Sequence, residues 1–94
     1  MAIFTDAPNT AVITTKYVVR QQSPILSVCH FADGFWQFTG REQQLLDADY
    51  LVVGLAEVVA LDSSILEVAD MPLGVGASRT GRGAAWTFSK LTDA

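Results

Sequence analysis

The stretch Ile25–Phe38, ILSVCHFADGFWQF, decides the fold. Two apolar runs flank Ala32-Asp33-Gly34, and Asp-Gly in that setting is a strong hairpin signal, because glycine takes a positive φ at no steric cost. ILSVCHF is therefore one strand and FWQF its return. By the two-residue period of a strand, Phe35 and Gln37 point one way and Trp36 and Phe38 the other, which makes Trp36 and Phe38 the core-facing pair. A hairpin in the middle of the chain commits it to a largely antiparallel sheet.

Toward the N-terminus, the run Ala11–Gln22, AVITTKYVVRQQ, is rich in β-branched residues and reads as one strand, either continuous or interrupted near Lys16, before Gln21–Pro24 breaks it. Residues 1–10, with Asp6, Pro8, Asn9 and Thr10, read as a flexible leader. Toward the C-terminus, Thr39-Gly40-Arg41-Glu42 matches the T-x-x-E capping box and predicts a short helix through Leu46. YLVVG at 50–54 then reads as a buried strand. Leu55, Val58, Val59, Ile65, Leu66 and Ala69 recur at helical spacing, but the phase slips at Asp62-Ser63-Ser64. Ser64 and Glu67 form a second capping box there, so two helical segments with a bend are expected. Pro72 and Gly74 close that region, and two strands follow, near Val75–Arg79 and Ala85–Lys90, around a Thr80–Gly83 turn.

With 94 residues the expectation is one domain over 11–94. Half the residues are apolar and 17% charged, richer in apolar side chains than an average globular chain, which points either to homodimerisation or to a well-filled core. The single cysteine, Cys29, rules out an intramolecular disulfide and a cysteine-rich zinc framework and fits a reducing, cytoplasmic setting. MAIFTDAPNT lacks the basic and apolar regions of a secretory signal, and no apolar run reaches the ~20 residues of a membrane span. A net charge of −4 argues against nucleic-acid binding. Charge is also divided along the chain. Residues 33–70 carry eight acids against Arg41 alone, a net of −7, whereas Arg79, Arg82 and Lys90 face only Asp93 from position 71 onward.

Met71–Trp86, MPLGVGASRTGRGAAW, concentrates four glycines and two arginines. Gly76 and Gly81 have the spacing of a phosphate loop, but Arg82-Gly83 replaces its Lys and Ser/Thr, so a glycine-rich β-turn is the better reading. Exposed N–H groups there, with Arg79 and Arg82, would suit a carboxylate or phosphate. Gly76-x-Ser78 resembles a hydrolase elbow with its last glycine replaced by Thr80. His30, the only histidine and so the only imidazole base, reads as a structural strand residue. Cys29 and His30 are adjacent on a strand and project to opposite faces, so they do not chelate one ion. The acids do not space as a calcium loop. No catalytic residue, metal site or cofactor is assigned. Trp36 and Trp86 each sit near a glycine-containing turn. Both read as core anchors facing one another across the sheet, and either becomes an interface anchor if exposed beside Arg79 or Arg82.

The order Asp33-Gly34-Phe35-Trp36-Gln37-Phe38, then LAEVVALD at 55–62, Ile65–Pro72 ending in Met71-Pro72, Leu73-Gly74, Ala77, Arg79 and Trp86 resembles a family of small bacterial domains grouped with polymorphic-toxin immunity proteins. It covers most of positions 12–88. The resemblance implies an α+β domain with an antiparallel sheet and a role in neutralising a toxin by binding it; it brings no catalytic residues. The glycine-rich Thr80–Gly83 turn departs from the pattern.

The expectation is an α+β domain: a mostly antiparallel sheet of about five strands, packed on one face by a bent helical region. Its function is read as non-enzymatic protein binding, immunity-like or as self-association into a homodimer, with no nucleic acid or membrane partner. Arg79, Arg82, Trp86 and Trp36 are the expected contact residues, and the acidic 42–70 region is a second surface. The alternative is a small-ligand or anion-binding domain using the Arg79/Arg82 turn.

Overall fold

The computed structural model describes residues 4–91. Six strands, β1 (Ala11–Thr15), β2 (Ser27–His30), β3 (Trp36–Thr39), β4 (Tyr50–Gly54), β5 (Val75–Ser78) and β6 (Thr87–Lys90), form one sheet in the order β4-β1-β3-β2-β5-β6. Every neighbouring pair is antiparallel except β1 and β3, which run parallel with Ile13 opposite Gln37. The fold is α+β, with a mixed, mostly antiparallel sheet of six strands rather than about five.

The Asp33-Gly34 turn is where its chemistry places it. Gly34 has φ +97°, Phe31 and Phe35 close the hairpin through a 2.9 Å main-chain bond, and Asp33 accepts from the Phe35 N–H. Trp36 and Phe38 are buried as the alternation predicts. Strand register carries that face across the sheet: Phe38 pairs with Val28, Val28 with Ala77, and on the far side Val53 pairs with Val12. These residues meet α2 (Leu55–Leu61) and a 3-10 segment, Ser63–Val68, through Leu55, Val58, Ile65 and Val68 in one core. α1 (Lys16–Gln21) adds Val18 to that core.

Several expected elements take another form. The run from Ala11 stops being a strand at Thr15. Its buried hydroxyl accepts from the Val18 N–H at 3.3 Å and starts α1, which ends at Gln22 in the left-handed region. A capping hydrogen bond and burial of Val18 outweigh the β preference of YVV. Thr39 and Glu42 do not start a helix. Thr39 stays in β3 opposite Ser27, Glu42 accepts from the Ser23 hydroxyl at 2.8 Å, and Gln44 has φ +56°. The only helical turn nearby is the 3-10 segment Asp47–Asp49. The bend at 62–64 is present, but its cap is Asp62, which accepts from the Ser64 N–H; Ser64 is not itself the cap.

Residues 4–10, expected as a leader, are built into the fold. The Phe4 ring lies edge-on to Trp36 at 4.9 Å, Asp6 accepts from the Trp36 indole N–H, and the Thr10 and Pro8 carbonyls accept from Leu55 and Ala56. Residues 1–3 of that expected leader, and 92–94 of the expected domain, lie outside the described residues.

Candidate functional site

Arg79 immediately follows β5, and its side chain is fully buried. Its Nε donates to the Ile25 carbonyl at 3.0 Å and its Nη2 to Asp62 Oδ2 at 3.0 Å, while Nη1 is buried with no hydrogen-bond partner among the described residues. The Trp86 ring covers the guanidinium at 4.2 Å and is itself held by an indole N–H donated to Glu67. Arg82, half-exposed, approaches the same Asp62 oxygen at 3.4 Å. Burial works to raise the Asp62 carboxyl, but two hydrogen bonds from Ser64 and the charges of Arg79 and Arg82 outweigh it and hold the group below the usual carboxylate range.

This arrangement is a clamp joining the end of β5 to the bend after α2. Of the expected contact residues, Arg79 and Trp36 are buried and engaged inside the molecule, Trp86 is half-buried over Arg79, and Arg82 reaches solvent. The two tryptophans do not face one another. Trp36 stacks on His30 at 3.7 Å, whereas Trp86 stacks on Arg79. For an anion, the glycine-rich turn offers one exposed guanidinium, Arg82, already beside a carboxylate.

Three other titratable groups, His30, Cys29 and Asp49, lie apart from this clamp. His30 Nδ1–H donates to the Met71 carbonyl at 2.8 Å. Cys29 is half-buried, and burial pushes its thiol up against an opposing Ser27 hydrogen bond. Asp49 is held down by the Leu46 N–H and by Lys16, 3.1 Å away. Among the described residues no three of His, Cys, Asp and Glu gather into a group able to hold a metal ion. No helix among them is long and apolar enough to cross a membrane.

Among the described residues, what remains open is the rim of the sheet. At one end is β4, expected as a buried strand and found as the edge, with Val52 70% exposed. Leu55 N–H donates to the Thr10 carbonyl, and opposed residues exchange both bonds at every second position of an antiparallel ladder, so 10:55, 12:53 and 14:51 are the bonded pairs. The N–H and C=O of Val52, and the C=O of Tyr50, therefore point away from β1. No charge or proline interrupts YLVVG; in the chain, exposed Asp47 precedes it and exposed Glu57 follows it, and Lys16, paired with Asp49, lies at its Tyr50 end. At the other end is β6, whose four residues are all exposed. Leu91 N–H donates to Gly74 C=O, so by the same parity the main-chain groups of Phe88 and Lys90 point outward. Beside it lies an open groove of about 560 Å³ whose lining includes Leu73, Val75, Phe88, Lys90 and Leu91.

Sequence reasoning did not single out Asp62, Glu67, Val52 or Phe88, although the first three lie in the 42–70 region read as a second surface. Asp62 had a signal, since Asp-Ser-Ser at a phase slip is the pattern of a side chain capping the backbone two residues on. An apolar five-residue run carries no mark of whether it lies at the centre of a sheet or at its rim. Compared with protein-family models, curated proteins and solved structures, the chain matches none of them.

Proposed function

We propose that the chain is a non-enzymatic protein-binding module whose β4 edge takes up an extended strand of a partner that places an apolar side chain beside Val52 and basic residues at its two ends. The observation that carries this reading is the β4 edge itself: five uncharged residues, an exposed Val52 with free main-chain groups, and acids flanking both ends. Natural edge strands are usually blunted by lysine, proline or a bulge, and an unguarded edge is a template for strand addition. Main-chain bonds supply affinity in this mode and charges supply choice. A second copy of β4 is a poor occupant, because antiparallel self-pairing about Val52 brings the acid-bearing ends of the two copies together. A strand with basic ends meets those acids favourably.

The engagement of Arg79, Asp62, His30 and Asp49 in internal bonds favours binding over proton-transfer chemistry. Neutralisation of a basic toxin is a specific form of this reading and rests on the resemblance in the sequence. The test uses a labelled peptide of alternating valine and threonine with two lysines at each end. It should bind the intact chain and lose roughly tenfold in affinity to the Asp47→Lys/Glu57→Lys variant, from two rim charge contacts. Equal affinity for that variant, or for a peptide with glutamates at its ends, would overturn the proposal.

A further inference from the structure

We infer that β6 at the opposite rim is a homodimer edge, on which a second copy of this chain adds its own β6 antiparallel about a two-fold axis at Ser89. This rests on a different surface from the β4 reading and stands whatever β4 binds.

The outward main-chain groups of β6 belong to Phe88 and Lys90. Three two-fold registers bring such groups together. A centre at Lys90 sets two ammonium groups opposite one another. A centre at Phe88 pairs Lys90 with Trp86, which lies outside the strand. A centre at Ser89 pairs Phe88 with the second copy's Lys90 and the reverse, so every outward N–H and C=O of the two residues is used, in four hydrogen bonds.

Side chains agree with that register. Opposed residues share a face, so each Phe88 ring lies beside the Lys90 of the other copy, an aromatic–cation contact made twice, and the two Ser89 hydroxyls meet on the other face. The one charge on the edge, which elsewhere serves to blunt it, here finds a partner. Exposed apolar surface lies alongside: Leu73 is 56% and Phe88 55% exposed, bordering the groove of about 560 Å³. A contact built on four-residue strands is far below the ~20 residues a side of a standard interface, so the dimer is weak and dissociates on dilution.

The register predicts a charge exchange. Phe88→Lys places a lysine opposite each Lys90 and should leave a monomer. Adding Lys90→Glu to that variant restores opposite charges at both pairs and should restore the dimer. Sedimentation equilibrium of the intact chain over a wide concentration range reads the outcome, with denaturant unfolding to confirm that each variant is folded. A mass rising from 10.1 kDa toward twice that value with concentration, lost in the single variant and regained in the double, is the expected result. A constant monomer mass for the unaltered chain, a dimer that survives Phe88→Lys, or no recovery in the folded double variant would overturn it.

Discussion

Replacing Asp62 by alanine should nearly unfold this protein. The substitution leaves the Arg79 guanidinium, whose side chain has no exposed surface, without its counter-charge, while Nη1 already lacks a partner among the described residues. Breaking a buried ion pair from one side costs about 3–5 kcal/mol. The Asp62 side chain also caps the 3-10 segment through Ser64, worth about 1 kcal/mol more. The contact with Arg82 adds little, because that side chain is half in water. The sum, roughly 4–6 kcal/mol, is most of the stability of a typical small domain. Urea unfolding followed by tryptophan fluorescence reads the loss. Arg79→Met/Asp62→Leu removes both charges and should be less destabilised than Asp62→Ala, even though the Ile25 carbonyl then loses its donor. pH supplies a second reading. A carboxyl lowered by folding stabilises above its unfolded pKa and loses that contribution as pH falls through the folded value. The intact chain should therefore lose stability in the acid range below ordinary carboxylate titration, with a shallower decline in Asp62→Asn. A loss under about 1 kcal/mol in Asp62→Ala, or a double variant weaker than the single, would refute the clamp.

Two further outcomes follow from the same packing. Cys29 should alkylate with iodoacetamide more slowly than a free thiol at neutral pH and speed up as pH rises, because burial keeps it protonated; a rate matching free cysteine would contradict this. Gly34→Ala should cost about 1 kcal/mol in urea unfolding through its φ of +97° alone, since nothing lies within 4 Å of the added methyl; an unchanged midpoint would show that the turn relaxes.

Features set by neighbours in the chain could be read before the structure was known. Asp33-Gly34 makes its turn by local chemistry, Trp36 and Phe38 fall on the core face by strand period, and the break at 62–64 shows as a slip in helical phase. Features that depend on a distant partner were not legible. Thr39 and Glu42 match a capping box, but Ser27 claims the Thr39 backbone and Ser23 the Glu42 carboxylate. Arg79 read as an exposed recognition residue because nothing adjacent to it in sequence announces Asp62, 17 positions away. Asp6 and Phe4 read as leader because their partner, Trp36, lies 30 or more residues on. Val52 read as buried because an apolar run records its composition and not its place in the strand order.

The proposal that this protein acts through the rim of its sheet is tested most directly by residue-resolved amide hydrogen exchange, with and without a saturating lysine-ended strand peptide. The Val52 N–H, which points away from β1, should exchange freely in the unbound chain and become protected on binding, while amides around Arg79 and Arg82 are unchanged. Protection centred on the Arg79–Gly83 turn, with Val52 still exchanging freely, would contradict it.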